Sequence, residues 1–207
     1  MRSVTLGSTS VGQGYPPYVI AEVGSNHNGD MALCQKLIDS AAEAGADAVK
    51  FQSWSESTLI AREEYDRNPE YSDKKKHFGS LREMVRAYQF TPDQHREAQE
   101  YCNKRGIAFC SSAFSSHEVD LLDALDVPFI KIASMDVVNI PLLKYAARCG
   151  RPLLIATGMA TLAEIENAVE TVRAEGNEKI VLLHCVSIYP PDIATVHLRN
   201  MATLRDA

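Results

Sequence analysis

The sequence alternates short apolar runs, rich in valine, isoleucine and leucine, with segments that have helical spacing. The runs are YVIAEVG (18–24), DAVKFQ (47–52), IAFCSSAF (107–114), PFIKIAS (128–134), PLLIATG (152–158) and KIVLLHC (179–185). Strands that are apolar throughout, rather than alternately apolar and polar, are typical of parallel sheets that are covered on both faces. The six runs therefore predict an α/β fold.

Three of the intervening segments carry the signals of helix ends. MALCQKLIDSAAEAG (31–45) has apolar residues at helical spacing and closes on a glycine. Thr91 followed by Pro92 is typical of an N-cap and a first helical residue. The segment TLAEIENAVETVRAEG (161–176) begins with a capping-box pattern and also ends on a glycine.

Polar residues gather at the carboxyl ends of the predicted strands. Barrels of eight β/α units build their active sites at this end. No GxGxxG sequence follows the first strand, which disfavours a dinucleotide-binding fold. We therefore predict a (β/α)8 TIM-type barrel, of which about six β/α units lie in the 207 residues. The first and sixth strands are expected to carry open edges.

A long insert, from about residue 53 to residue 90, separates the second and third predicted strands. It is polar and charge-dense, and long loops in compact domains are often functional lids. We interpret its lysine triplet, Lys74-Lys75-Lys76, as a solvated face. Residues 1–207 are otherwise predicted to form one partial barrel domain.

Composition restricts the class of protein. Hydrophobic residues make up 45% and charged residues 23%, as in ordinary globular proteins. The net charge of -6 argues against a nucleic-acid partner or an anionic membrane surface. No apolar run approaches the length of a membrane helix, the N-terminus lacks a signal-peptide pattern, and the five cysteines lack paired spacing. We therefore expect a cytoplasmic protein with reduced thiols.

Two lysines lie inside apolar runs, Lys50 in DAVKFQ and Lys131 in PFIKIAS. A lysine in such a run must face a polar cavity or lose much hydration energy. Alternation along the first strand places Ile20, Glu22 and Gly24 on one side. We favour a pocket shared by the two lysines and Glu22 over separate structural ion pairs.

Hydroxyl residues recur at the carboxyl ends of successive strands. They are Ser111, Ser112, Ser134, Thr157 and Ser187. Lysines ringed by hydroxyls suit an anion with several oxygens, such as a phosphate or a carboxylate. We interpret His27 and His184 as structural histidines, and Cys110 and Cys185 as small buried apolar residues.

Six stretches together resemble the sialic acid synthase (N-acetylneuraminate synthase) family. They are IAEVGSNHNGD (20–30), AGADAVKFQ (44–52), SSAF (111–114), FIKIAS (129–134), ATGMATLAEIENAV (156–169) and LLHCVSIYPP (182–191). Members are transferases that condense phosphoenolpyruvate with an N-acylated amino sugar, such as N-acetylmannosamine, to give a nonulosonic acid and phosphate. The resemblance implies the N-terminal barrel domain of such an enzyme.

The resemblance also implies site residues, position by position. Glu22 resembles the catalytic carboxylate beside the reacting carbons. The positions that resemble the phosphoenolpyruvate site are Lys50, Ser112, Lys131, Ser134 and Ser187. The positions that resemble sugar contacts are Gln52, Asp136 and Tyr189. The sequence departs from the family at Asp136, where many members carry glutamate, and at Ala156, where many carry serine.

A divalent metal, Mn²⁺ or Mg²⁺, and a homodimer are further implications of the resemblance. The family's metal-binding histidines would lie beyond Ala207, so no metal ligand is assigned in this chain. The last barrel units and the antifreeze-like domain of the family are also absent from the 207 residues. We expect this chain alone to be truncated after the sixth β/α unit and inactive.

Two other functions stay open on the sequence alone. One is a class I aldolase-type barrel in which Lys131 or Lys50 forms a Schiff base at a strand end. The other is a non-catalytic remnant that binds sugar phosphates or partner chains without turnover. Borohydride reduction in the presence of substrate distinguishes the aldolase, because it leaves a covalent adduct on lysine.

Overall fold

The computed structural model describes residues 3–72 and 77–207, which form two compact units. The central unit is Tyr18–Asp126. The terminal unit joins the residues up to Pro17 with Val127–Ala207. The predicted lysine face, Lys74-Lys75-Lys76, lies outside the described residues.

The described residues contain both strands and helices throughout the chain. The strands are β1 (Ser3–Leu6), β2 (Thr9–Gly12), β3 (Ile20–Gly24), β4 (Ala48–Ser53), β5 (Tyr71–Ser72), β6 (His77–Gly79), β7 (Ala108–Ala113), β8 (Ile130–Ile132), β9 (Leu153–Ala156) and β10 (Ile180–Leu183). The helices are α1 (Met31–Glu43), α2 (Glu56–Leu59), α3 (Arg62–Arg67), α4 (Leu81–Tyr88), α5 (Pro92–Arg105), α6 (Ser116–Ala124), α7 (Ile140–Arg148), α8 (Leu162–Ala174) and α9 (Asn200–Asp206). Two 3₁₀ turns cover Ser134–Asp136 and Ile193–Thr195.

The central unit is built on three parallel strands in the order β3-β4-β7. Helix α1 begins at Asp30, whose carboxylate accepts the first backbone N–H groups of the helix. Helix α5 begins as predicted, with Thr91 as N-cap and Pro92 in the first turn. The buried faces of the two helices, which carry Cys34 and Ala98 among others, pack together against the sheet.

The described residues of the predicted insert, between β4 and α5, form helices and a hairpin. The insert holds helices α2, α3 and α4 and the short hairpin β5–β6. Its small core consists of Trp54, Tyr65 and Val85, and the Trp54 indole donates to the Val85 carbonyl at 3.4 Å. Apolar residues spaced among the charges, which composition alone hides, account for this packing.

The terminal unit carries the parallel strands β8, β9 and β10, with β9 between the other two. Strand β9 is fully buried, whereas β10 is half-buried along its length. Helix α8 begins with the predicted capping box of Thr161 and Glu164. The hairpin β1–β2, which the sequence analysis missed, pairs Leu6 with Thr9 around a turn that contains Gly7 at φ 62°.

All six predicted strands are present, as β3, β4, β7, β8, β9 and β10. The α/β class is therefore confirmed, with three parallel strands in each unit, and closure into eight units stays a prediction. Among the described strands, β3 pairs only with β4 and β10 only with β9, which are the two expected edges. In the described part of the chain, no helix combines the length and apolar character needed to cross a membrane.

Candidate active site

Glu22 and Lys50 lie side by side in the central unit. The parallel register of β3 and β4 pairs these two residues directly, and the Lys50 ammonium forms an ion pair with the Glu22 carboxylate. The side chain of Lys50 is 13% exposed and that of Glu22 is 50% exposed. The Lys50 side chain is thus mostly covered by neighbouring residues, whereas the Glu22 carboxylate is accessible to a ligand.

Gln52 and Ser112 extend the same face of the sheet. The register of β4 and β7 pairs them directly, two residues beyond Lys50. Successive residues of a strand point to opposite faces, so Lys50, Gln52 and Ser112 share one face. The structure therefore brings together all four predicted residues of this unit.

Gly24 allows this cluster to form, and the sequence analysis did not identify it as a site residue. Its φ is +55°, and a Cβ there would lie 3.1 Å from Glu22 Oε1 and 3.7 Å from Gln52 Oε1. A register shift between Glu22 and Gly24 pairs Gly24 with Phe51, so the regular alternation predicted along the first strand is wrong at its end. A glycine two residues after the carboxylate was the available signal.

Ser111 belongs to the opposite face, although the sequence grouped it with Ser112. Its hydroxyl lies 2.7 Å from the Ser53 hydroxyl, which in turn lies 2.7 Å from Nε2 of His95 on α5. These three side chains are almost fully buried on the helix-covered side of the sheet. Strand alternation is the physical reason that adjacent serines have different surroundings.

His27 is structural, as interpreted from the sequence. Its Nδ1 accepts the Gly29 N–H at 3.0 Å, and its ring stacks on Phe90 at a centroid distance of 3.7 Å. Burial, and to a smaller extent His95, lowers the pKa of His27 to about 4. The imidazole is therefore neutral near pH 7 and shapes the turn that follows β3.

Lys131 is buried in the terminal unit, with 6% of its surface exposed. Its ammonium donates to the Ile132 carbonyl at 2.6 Å. Asp136 is also buried, and burial raises the pKa of its carboxyl group, while Asn139 and Lys131 act in the opposite direction. Asp136 Oδ1 accepts from Asn139 at 3.1 Å, but Oδ2 has no hydrogen-bond partner among the described residues.

Ser134 and Ser187 meet around Gly158. The Ser134 hydroxyl accepts the Gly158 N–H at 3.1 Å. A Cβ at Gly158 would lie 2.8 Å from the Ser187 hydroxyl and 2.7 Å from the Cys185 carbonyl. Glycine is therefore needed at position 158 for the close approach of its backbone to that of Cys185, and both serine hydroxyls lie beside Gly158.

The remaining candidates of this unit are Tyr189, His184 and Cys185. Tyr189 is 92% exposed and makes no described contact with the other predicted residues. His184 Nε2 lies 2.6 Å from the Val196 carbonyl, which supports a structural role. Cys185 is only partly buried and lines a cavity of about 320 Å³, so the prediction that it is a buried apolar residue is wrong, whereas Cys110 is fully buried as expected.

The donors needed for a metal ion do not come together in the described residues. No three His, Cys, Asp or Glu side chains form a cluster there that could hold one. The divalent metal implied by the resemblance stays a prediction, because its histidine ligands are expected beyond Ala207.

Parallel strands that alternate with helices, three strands in each unit, define the chain as an α/β protein. The chain belongs to the NeuB family, whose profile matches residues 37–207. This result confirms the resemblance to sialic acid synthases.

Two curated relatives have names that agree with this membership. The N,N'-diacetyllegionaminic acid synthase of Legionella pneumophila is 39% identical over 199 residues, covering 91% of this chain and 54% of the relative. The N-acetylneuraminate-9-phosphate synthase of Drosophila melanogaster is 40% identical over 191 residues, covering 91% and 50%. The chain spans about half the length of the curated relatives it matches.

A solved structure has a similar fold. The N-acetylneuraminic acid synthetase of Leptospira borgpetersenii serovar Hardjo-bovis, in complex with citrate, superposes with a TM-score of 0.84 at 31% identity. The match covers 99% of this chain and 66% of that chain.

Proposed function

We propose that the protein containing this chain condenses phosphoenolpyruvate with an N-acylated amino sugar to give a nonulosonic acid and phosphate. The observation that carries this proposal is the Glu22–Lys50 ion pair, which shares its sheet face with Gln52 and Ser112. The names of the relatives support it, because legionaminic and neuraminic acids are both nonulosonic acids.

The two lysines provide the charge that an anionic substrate needs on a protein of net charge -6. Lys50 and Lys131 are both held with little exposure, so their ammonium groups are poorly screened by water. The hydroxyls of Ser112, Ser134 and Ser187 are further hydrogen-bond donors for phosphate or carboxylate oxygens. Citrate, bound by the Leptospira relative, is likewise a small anion with several carboxylates.

The proposed chemistry forms a carbon–carbon bond to the sugar and a carbon–oxygen bond to water, and it breaks the carbon–oxygen bond to phosphate. The proton that water loses balances the one gained by the aldehyde oxygen. The methylene carbon of phosphoenolpyruvate attacks the aldehyde of the open-chain sugar, and positive character develops on the enol carbon. The Glu22 carboxylate stabilises that charge, and water adds to the same carbon. The tetrahedral product then releases phosphate, while Lys50 and Lys131 bind and orient the anion.

Gln52, Asp136 and Tyr189 are proposed sugar contacts. Gln52 presents an amide on the sheet face of Glu22, and Asp136 presents a buried oxygen with no described partner. Both groups suit the hydroxyls or the N-acyl group of an amino sugar. The eight-unit barrel, the Mn²⁺ or Mg²⁺ ion, the homodimer and the cytoplasmic location stay predictions from the resemblance and the composition.

The aldolase alternative is tested by borohydride reduction followed by mass spectrometry. A Schiff base at Lys50 would break its ion pair with Glu22, and one at Lys131 would break its hydrogen bond to the Ile132 carbonyl. We expect no lysine adduct with phosphoenolpyruvate and N-acetylmannosamine present. Phosphate release should depend on both substrates. A borohydride-trapped adduct on either lysine would favour the aldolase.

A further inference from the structure

We propose that His95 is a positioning residue: through Ser53 and Ser111 it fixes the carboxyl ends of β4 and β7 on which Gln52 and Ser112 lie. The inference rests on the proposed function for its kinetic consequences. Its structural consequence, the rigidity of two strand ends, stands separately.

The three side chains form a continuous buried chain. Ser53 and Ser111 are 0% exposed and His95 is 1% exposed. The Ser111 and Ser53 hydroxyls are 2.7 Å apart, and Ser53 Oγ lies 2.7 Å from His95 Nε2. The other ring nitrogen, Nδ1, lies 2.9 Å from the backbone carbonyl of Thr91 at the start of α5. These hydrogen bonds therefore connect β4 and β7 to the start of α5.

The Thr91 carbonyl sets the direction of every hydrogen bond in this chain. A carbonyl oxygen only accepts, so Nδ1 of His95 carries the proton and Nε2 is the acceptor. Ser53 must then donate to Nε2, and its single proton is used there. Ser111 in turn donates to Ser53 at 2.7 Å, in preference to the longer contact of 3.4 Å with the Ser112 carbonyl. Burial favours the neutral form of His95. In that form each of the three buried side chains has a hydrogen-bond partner.

The hydrogen-bonded side chains of Ser53 and Ser111 lie directly behind two site residues. Ser53 directly follows Gln52, and Ser111 directly precedes Ser112. Gln52 and Ser112 are paired across β4 and β7 and point to the other face of the sheet. A hydrogen-bonded clamp between Ser53 and Ser111 therefore holds the strand ends together from behind.

Aromatic packing fixes the histidine ring in this orientation. Phe90 contacts the His95 ring edge-on, with centroids 5.6 Å apart and planes at 83°. The His27 ring in turn stacks on Phe90. The ring is held at both nitrogens by hydrogen bonds and at its edge by Phe90, so Nε2 faces Ser53.

Two substitutions at His95 test the roles of its two ring nitrogens separately. In His95→Gln the longer amide reaches the place of Nε2 and can still accept from Ser53. In His95→Asn the shorter amide reaches the place of Nδ1 and can still donate to the Thr91 carbonyl, but it leaves Ser53 without its acceptor. Ala98→Gly is the control, because it weakens the same helix at a buried position outside the chain of hydrogen bonds.

Steady-state kinetics and amide hydrogen exchange test the proposal together. We expect His95→Asn to raise KM for phosphoenolpyruvate and for the sugar at least about tenfold. His95→Gln should lie closer to the wild type, and Ala98→Gly should keep wild-type KM values. Amides 52–54 and 111–113 should exchange faster in His95→Asn alone.

Each outcome bears on a different proposal. If His95→Asn matches Ala98→Gly in both kinetics and exchange, the chain of hydrogen bonds is only core packing and the positioning role is overturned. If the wild-type protein that contains this chain does not turn over phosphoenolpyruvate with the amino sugar, the proposed function fails. Exchange at the two strand ends then still decides whether His95 fixes them.

Discussion

Glu22 on β3 and Lys50 on β4 are paired in the parallel register, and their side chains form an ion pair. The glutamate side chain is half exposed, and ion pairs of this kind contribute little to stability because water screens them. The pair is therefore better explained by what it does to a ligand than by what it does for the fold. This distinction leads to tests that separate activity from stability.

Replacing Glu22 with glutamine removes the charge and keeps the size of the side chain. We expect phosphoenolpyruvate binding to be largely kept and turnover to fall at least about tenfold, since the charge acts on the transition state. The measurement is kcat, with a calorimetric Kd for phosphoenolpyruvate. Glu63→Gln, at an exposed position on α3, is the control. Wild-type turnover in Glu22→Gln would remove Glu22 from the catalytic role.

Replacing Lys131 with methionine keeps the apolar stem and removes the ammonium. We expect the Kd for phosphoenolpyruvate to rise at least about tenfold, or ~1.4 kcal/mol. The free energy of unfolding should hold or increase, because no buried charge then needs desolvation. Lys36→Met, exposed on α1, is the matched control. An unchanged Kd in calorimetry would assign Lys131 to a structural ion pair.

Gly24→Ala tests whether the Glu22 carboxylate needs the space that the missing Cβ of Gly24 leaves. Gly24 and Gly45 both have positive φ, +55° and +78°, so alanine at either position costs about 1 kcal/mol of backbone strain. Only at Gly24 does the new Cβ meet the Glu22 carboxylate, because nothing lies within 4 Å at Gly45. We expect similar urea midpoints for the two variants and a loss of kcat in Gly24→Ala alone. Equal kcat values would contradict the assigned geometry.

The neutral His27 makes stability depend on pH. Its pKa is about 4 in the folded protein and about 6.5 in the unfolded chain, which therefore binds more protons between these values. The contribution of His27 is fully present above pH 6.5 and is lost as the pH falls towards 4, by roughly 3 kcal/mol.

Urea unfolding between pH 7 and pH 4.5 measures this dependence. His27→Asn keeps an acceptor near the Gly29 N–H and removes the titrating ring, so the loss of stability on acidification should be smaller. It should not vanish, because burial also lowers the pKa of His95. An equal slope in wild type and variant would show that His27 is not the group responsible.

Much of the fold could be predicted from local signals. The six strands, the N-cap at Thr91 and the capping box at Thr161 were all present in the sequence pattern, because backbone hydrogen bonding and burial dictate them locally. The hairpin β1–β2 was missed, although the Gly7-Ser8 connection between Leu6 and Thr9 is a known hairpin signal.

The site was predictable in part. Alternation correctly placed Lys50 and Gln52 on one face and also separates Ser112 from Ser111, while the register that pairs Ser112 with Gln52 required the structure. The hydrogen bond between Ser53 and His95 joins residues 42 positions apart, and no local pattern specifies that contact. The approach of Gly158 to Ser187 is likewise a tertiary contact, so it required the structure.

The central claim is that the protein containing this chain joins phosphoenolpyruvate to an N-acylated amino sugar. The most direct measurement is ¹³C NMR of [3-¹³C]phosphoenolpyruvate mixed with N-acetylmannosamine and the protein, with inorganic phosphate assayed in parallel. We expect the vinyl signal to be replaced by a saturated methylene signal of a nonulosonic acid, with one phosphate released per new carbon–carbon bond. Phosphate release with labelled pyruvate as the only carbon product would contradict the account.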